Sequence, residues 1–171
     1  MDDRAGLYSE LFERHAQAIH GYCLRRTADA AVAEDLTSIV FLEAWRRRDD
    51  VDLATREALP WLYGVATNVL RNQRRSQRRH RAAMARLGPL PDTPDNSDDT
   101  AARIDAERAA RDLLPALKKL PRREREVLAL CWFTDLTYAE VADALAIPIG
   151  TVRSRAARGR ARIPVPQEAT P

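Results

Sequence analysis

The sequence TYAEVADALAIPIGTVRSRAARGRAR, residues 137–162, predicts two helices joined by a tight turn. Thr137 and Glu140 have the spacing of a capping box, which predicts that a short helix begins there. Residues 146–148, Ala-Ile-Pro, predict the turn, because the residue before a proline avoids the helical conformation. The second helix is then expected over residues 149–162. A short helix, a tight turn and a second helix form the helix–turn–helix, an arrangement that reads duplex DNA.

The second of these helices carries the chemistry of a DNA-reading element. Small Ala142 is expected where the two helices cross, and Val152 is expected to face the core. The remaining face has five arginines and no acidic residue in its helix. Arginine can bond guanine edges in the major groove, and hydroxyls can bond phosphates or bases. The alternative is a three-helix bundle with a merely solvated basic face. The expected duplex-DNA contacts are Thr151, Arg153, Ser154, Arg155, Arg158 and Arg160.

The rest of the chain also predicts helices. Apolar residues recur at spacings of three and four over residues 7–23, 32–45 and 61–70. Residues 27–29 interrupt the first two of these stretches. Residues 101–120 also predict helix, in two pieces or kinked at Pro115, and Pro121 predicts the start of another helix that carries Val127 and Leu128. Nowhere do β-branched residues alternate over five or six positions, which is the pattern of a strand. The sequence therefore predicts an all-α fold.

Residues 88–100, GPLPDTPDNSDDT, predict a linker between two small domains. They hold three prolines, one glycine and four aspartates, a composition that cannot bury enough apolar surface to become ordered. We expect an N-terminal domain over residues 1–87 and a C-terminal domain over residues 101–163. The Pro-rich residues 164–171 are expected to form a disordered tail.

Charge is distributed unevenly along the chain, although the net charge is only +3. Residues 58–91 carry seven basic and no acidic side chains, and residues 150–171 carry five basic and one acidic. Such blocks are the electrostatic footprint of a protein that binds a polyanion. In the first block, aromatics and amides accompany the arginines, which suits a nucleic acid with unstacked bases. The alternatives are that the tryptophan is core and that the arginine run is a solvated helix tail. The expected contacts here are Trp61, Asn68, Arg71, Asn72, Arg74, Arg75 and Arg78.

Residues 35–48, DLTSIVFLEAWRRR, predict an amphipathic helix with more large apolar side chains than a small core accepts. Leu36, Phe41 and Trp45 would leave an excess apolar edge for a partner helix. The alternative is an ordinary core-facing stripe.

Several classes of protein are disfavoured. The two cysteines are far apart, no export signal is visible and no apolar stretch is long enough to span a bilayer, so we expect a cytoplasmic protein. The three histidines show no metal-ligand spacing with the cysteines, and the glycines form no phosphate loop. We therefore expect no metal, no cofactor, no membrane insertion and no catalytic residues; Cys23 and Cys131 are interpreted as small core residues.

Four stretches in order make the chain resemble a bacterial sigma factor of the extracytoplasmic-function class: AEDLTSIVFLEAWRR, PWLYGVATNVLRNQRR, LPRREREVLAL and LTYAEVADALAIPIGTVRSRAARGRARI. The resemblance implies two helical modules, a region 2 bundle and a region 4 helix–turn–helix. It implies binding to core RNA polymerase, at the largest-subunit clamp and at the flap, and to promoter DNA. An anti-sigma factor is a further implied partner.

The resemblance also assigns roles to residues. Asp35, Leu36, Phe41 and Trp45 would dock on the polymerase clamp, while Ser38 and Ile39 differ from the usual Gln and Glu. Asn68 would help capture a flipped base of the minus-ten element, accompanied by Trp61, Arg71 and Asn72. Residues 138–162 would read the minus-thirty-five element as duplex. Cys131 stands where relatives often carry an arginine.

Two other functions compete with this reading. A free-standing regulator could bind operators as a dimer through the same helix–turn–helix, but its sensor half would not need the basic block 58–91. A nuclease would need a coherent carboxylate cluster, which the sequence lacks.

Overall fold

The computed structural model describes residues 3–47, 58–86 and 113–163, and all regular structure in these ranges is helical. The all-α prediction is therefore confirmed. The helices are α1 (Asp3–Thr27), α2 (Ala30–Arg46), α3 (Ala58–Ala85), α4 (Arg122–Phe133), α5 (Tyr138–Leu145) and α6 (Ile149–Arg162), with residues 113–119 also helical. The predicted linker 88–100 and tail 164–171 lie outside the described residues.

The N-terminal module, residues 3–47 and 58–86, packs α1, α2 and α3 around one core. α1 ends at Thr27 because Ala28 takes a left-handed conformation, with φ of 55°. Asp29 then caps α2 by accepting a hydrogen bond from the backbone N–H of Val32 at 2.9 Å. Fully buried Tyr22 links two helices, since its hydroxyl lies 3.0 Å from the hydroxyl of Thr67 on α3.

The C-terminal module, residues 113–163, contains the predicted helix–turn–helix. The capping box is confirmed: Thr137 Oγ1 accepts from the backbone N–H of Glu140, whose carboxylate accepts from the backbone N–H of Thr137. The bounds predicted for the last helix, 149–162, are confirmed as well. Val152 is fully buried, as expected. Ala146 ends α5 in the left-handed region, with φ of 50°, and thereby turns the chain into α6.

The two modules contact each other directly, which the sequence did not predict. α3 packs on α5 where Gly64 meets the backbone of Ala144, and no side chain larger than hydrogen fits there. Arg25 on α1 donates a hydrogen bond of 2.8 Å to the carbonyl oxygen of Phe133 at the end of α4. The cores of the two modules form one continuous cluster of buried apolar residues.

Candidate nucleic-acid interface

The exposed face of α6 presents most of the predicted duplex contacts. Val152, Ala156 and Gly159 fasten the helix to the core, so the side chains between them point outward. Arg153, Ser154, Arg158 and Arg160 are exposed, and Thr151 and Arg155 are half-buried. The structure therefore brings all six predicted residues onto one helix, whose outer side is open to a ligand in the described part of the chain.

Two contacts limit how freely these arginines can move. Arg160 donates a hydrogen bond of 2.7 Å to the hydroxyl of Tyr138, and its guanidinium lies 5.9 Å from the ring centre. Arg158 lies 3.8 Å from the carboxylate of buried Glu124, which also pairs with Arg162 at 2.7 Å. Glu124 thus orients the last turns of α6, whereas Arg153 has no such restraint among the described residues.

Sequence reasoning missed the contribution of α4 to this surface. Arg122 and Arg123 at the start of α4 border the same groove as Thr151, Ser154 and Arg155. The signal is present in the sequence, because Pro121 predicts the start of a helix and the structure confirms Pro121 as the N-cap of α4. An arginine pair in the first turn of a helix is unfavourable to the helix dipole, so a function outside the helix is the more direct reason for it.

The predicted contacts on α3 fall on two different faces. Exposed Asn68 and Asn72 border a groove of about 400 Å³ between α2 and α3, whose floor includes Val65. Arg71, Arg74, Arg75 and Arg78 instead line a cleft that faces the C-terminal module, and Asn72 lies at the edge of both. Trp61 is half-buried against the core and borders neither.

Burial changes the ionisation of two side chains of α3. The pKa of Arg74 falls to about 10, because burial and the nearby charges of Arg26 and Arg125 disfavour its cation. Burial raises the pKa of Tyr63 to about 12. At neutral pH Arg74 therefore keeps its positive charge and Tyr63 stays neutral.

α2, the helix predicted to dock on a partner, exposes other residues than expected. Leu36 and Phe41 are buried, so the interpretation that they form an excess apolar edge is wrong. The 25-residue α1 packs along α2 and buries these apolar side chains. For example, Phe12 packs edge-on against Phe41, with ring centres 4.8 Å apart. Trp45 is half-buried against Tyr8.

The exposed face of α2 instead consists of residues that the sequence reasoning did not select, apart from Asp35. Ile39 and Leu42 are 43% and 48% exposed, and Ser38 lies between them and Asp35. Large apolar side chains exposed at one helical face are a feature of protein-binding surfaces. The signal in the sequence was the run Ile39-Val40-Phe41-Leu42, in which the helical period leaves two members outside.

The cysteines fit the interpretation given to them only in part. Cys23 is buried and burial raises the pKa of its thiol to about 11, whereas Cys131 is half-buried. In the described ranges, no group of His, Cys, Asp and Glu side chains could hold a metal ion. No helix of the described residues is long and apolar enough to cross a membrane.

Comparison with known proteins identifies relatives over most of the chain. The model of sigma-70 region 2 matches residues 11–80, and that of sigma-70 region 4 matches residues 116–163. The ECF RNA polymerase sigma factor SigL of Mycobacterium tuberculosis is 30% identical over 151 residues, covering 88% of this chain and 83% of SigL. RNA polymerase sigma factor CarQ of Myxococcus xanthus is 32% identical over 161 residues, covering 92% of this chain and 87% of CarQ.

Two solved structures share the fold. The sigma factor RpoE in complex with the anti-sigma factor NepR from Bartonella quintana has a TM-score of 0.61 and 23% identity, and the match covers 91% of this chain and 92% of RpoE. CnrH in complex with the cytosolic domain of CnrY has a TM-score of 0.62 and 20% identity, covering 91% of this chain and 83% of CnrH.

Proposed function

This chain belongs to the sigma-70 family, in its extracytoplasmic-function group of alternative sigma factors, and we propose how its two modules divide the work of promoter recognition. The chain directs promoter-specific transcription initiation. The family is one of DNA-binding regulatory factors, and we infer that the chain acts in the cytoplasm on core RNA polymerase without catalysing a reaction itself.

α6 reads the minus-thirty-five element as duplex DNA. The observation that carries this proposal is an acid-free helix whose inner face is locked by Val152 and Ala156 while Arg153 and Ser154 are exposed. A helix fixed in this way can enter the major groove and present guanidinium groups to guanine edges. Arg122 and Arg123 at the start of α4 are placed to hold the flanking phosphates.

α3 melts and reads the minus-ten element. Asn68 and Asn72 lie at a groove of about 400 Å³, and their amides can both donate to and accept from the edge of a base that has left the stack. Removing a base from the stack costs a few kcal/mol, which binding to polymerase and the arginines of α3 help to offset. Arg75 and Arg78 are exposed and would hold the phosphates of the strand.

α2 docks on the clamp of the largest polymerase subunit. Its exposed face combines the charge of Asp35 with the apolar side chains of Ile39 and Leu42, and a helix from a partner could pack there. Leu36 and Phe41 support this face from beneath. The flap of polymerase would hold the C-terminal module. RpoE was solved with the anti-sigma factor NepR, and CnrH was solved with the cytosolic domain of CnrY. An anti-sigma protein covering the same faces would keep this chain inactive.

Simultaneous use of both DNA surfaces requires the modules to separate. The minus-ten and minus-thirty-five elements are about 25 base pairs apart, as their names state. This separation is roughly 80 Å along B-form DNA. Modules packed on each other through α3 and α5 do not span that distance, since α3, the longest helix of the described residues, is itself roughly 42 Å long. The closed arrangement, in which α3 packs on α5, is therefore a state of the free protein. The two modules separate when polymerase and promoter bind.

Run-off transcription with purified bacterial core polymerase tests this proposal. The template is the DNA upstream of the chain's own gene, with and without the protein. A discrete start that depends on the protein is expected, and it should vanish when the candidate minus-thirty-five sequence is scrambled. No transcript together with no polymerase retained in a pull-down would contradict the proposal and favour an operator-binding regulator.

A further inference from the structure

A strongly basic cleft of about 440 Å³ lies between the two modules. Its walls come from α1 and α3 on one side and from the residues around the start of α4 on the other. The cationic side chains that line it are Arg26, Arg71, Arg74, Arg75, Arg78, Lys118, Arg122 and Arg125. Among the described residues, Glu126 is the one acidic side chain in the lining.

That single carboxylate is already occupied. Arg71 holds it in a fork, with Nε 3.1 Å from Oε1 and Nη2 2.9 Å from Oε2. Arg122 lies 3.8 Å from the same carboxylate. One negative charge is thus shared by two arginines, and within the described ranges none remains for the other six cations.

Two arginines in the cleft have polar groups that the described residues do not satisfy well. Arg125 donates one hydrogen bond to the carbonyl oxygen of Lys118 at 3.2 Å, but its buried Nε has no acceptor among the described residues. Arg74 reaches the carbonyl oxygen of Arg26 at 3.5 Å, the limit of a hydrogen bond. A buried donor without an acceptor and crowded like charges both disfavour the closed arrangement unless an anion compensates them.

The crowding also appears in the ionisation of these groups. Burial and the charges of nearby arginines lower the pKa of Arg74 to about 10 and also lower the pKa of Arg125. Arg26, Arg78 and Arg122 face Arg125, and Glu126 is the one nearby group that raises its pKa. An anion bound between them would reverse the direction of both shifts.

We propose that this cleft binds a small anion with several linked phosphate groups, which joins the two modules and favours the closed arrangement. Guanidinium groups bond phosphate oxygens in pairs, and the cleft offers them from both walls. Its volume is within the range of small-molecule sites. Among the described residues, Leu120 is the one apolar side chain in the lining, so a peptide would find little to cover its apolar groups, whereas Thr67 and Asn72 add hydrogen-bonding groups.

The anion would also oppose promoter binding. Arg75 and Arg78 belong to this cleft and to the surface proposed for the minus-ten strand. An anion that occupies them and holds Lys118 and Arg125 of the other module competes with the strand. This consequence depends on the proposed function of α3, but the anion site itself does not.

Calorimetric titration of the full chain with inorganic tripolyphosphate, ATP and orthophosphate tests the site at low salt. The cleft variant carries Lys118→Gln and Arg125→Gln, and the matched control carries Arg14→Gln and Arg46→Gln, two exposed arginines outside the cleft. We expect the cleft variant to lose about tenfold or more in tripolyphosphate affinity, and the control less than about threefold. Equal affinity for tripolyphosphate and ATP would identify the phosphate chain as the ligand, whereas tighter ATP binding would indicate a nucleotide. Equal losses in both variants, or orthophosphate binding as tightly as tripolyphosphate, would overturn the proposal.

Two further measurements keep the result interpretable. Lys118→Gln alone changes an exposed side chain, and it should weaken tripolyphosphate binding without lowering the thermal midpoint. Fluorescence anisotropy with a single-stranded minus-ten oligonucleotide then measures the competition. Tripolyphosphate should weaken strand binding by the wild type but much less by the cleft variant. If the protein binds the anion but not the strand, the role of α3 is refuted and the anion site is not. If tripolyphosphate weakens strand binding equally in the wild type and the cleft variant, the anion site is refuted.

Discussion

Replacing Gly64 with alanine should open the two modules. A Cβ at position 64 would overlap the carbonyl oxygen of Ala144 and lie 3.2 Å from its carbonyl carbon. Both groups belong to helix backbone, so a side-chain rotation cannot relieve the overlap. Overpacking of this kind costs about 1–3 kcal/mol. Inside α3 itself, alanine is preferred over glycine by about 0.5–1 kcal/mol. The N-terminal module should therefore become slightly more stable while its contact with α5 weakens.

The expected shift is large enough to measure. A loss of about 1–3 kcal/mol in the closed arrangement changes its population ratio to the open one by about 5–150-fold. Since polymerase binds the open arrangement in our proposal, the affinity for core polymerase should rise by the same factor while the closed form still dominates. Small-angle scattering should show a radius of gyration above that of the wild type.

Gly6→Ala is the matched control. A Cβ at Gly6 meets nothing within 4 Å, so this change adds the same helix preference to α1 without a clash. It should leave the polymerase affinity and the radius of gyration unchanged. If Gly64→Ala behaves like Gly6→Ala in both assays, the contact between Gly64 and Ala144 does not hold the modules together, and the reasoning fails.

Four other changes test separate parts of the structure. Arg71→Gln removes the fork from buried Glu126 and should lower the free energy of unfolding by about 1–3 kcal/mol in urea titrations; an unchanged midpoint would contradict the role of the pair. Ala146→Gly relieves a left-handed conformation and should raise stability by about 1 kcal/mol, whereas a loss of stability would show that the turn is unstrained. Arg153→Ala should weaken minus-thirty-five duplex binding by about 1–3 kcal/mol and relax selectivity at one base pair; unchanged promoter preference would refute its place in the groove. The thiol of Cys23 has a pKa raised from 9 to about 11, so the folded state retains a proton that the unfolded state loses, and stability should fall by about 1 kcal/mol per pH unit above pH 9. Urea titrations between pH 9 and 10 measure that slope, and Cys23→Ala should reduce it, leaving the smaller loss that the raised pKa of Tyr63 causes as the pH approaches 10.

Local patterns were enough to predict the helices and their ends. The capping box at Thr137, the helix start at Pro121 and the extent of α6 depend on neighbours within one helical turn, and these local interactions are visible in the sequence. The acid-free face of α6 was visible for the same reason, since a helix's period alone places its residues on a common side.

Periodicity did not show which apolar residues of α2 face outward. Leu36, Ile39, Phe41 and Leu42 all fit a broad apolar stripe, and the position of α1 decides which of them are covered. Phe12 lies in the apolar stretch 7–23 of α1, yet it is 45% exposed at the edge of Phe41. Such choices depend on how two helices pack, and helix packing is not encoded in either helix alone.

The sequence by itself determined the all-α class, the helix–turn–helix, the basic blocks and the family, because each of these depends on residue type and short-range spacing. Tertiary structure alone decided that the arginines of α3 separate from Asn68, that Glu126 of the second module pairs with Arg71 of the first, and that Gly64 meets Ala144. These pairs are 55 and 80 residues apart in the chain. Their proximity arises from the burial of two amphipathic surfaces against each other, which no local pattern specifies.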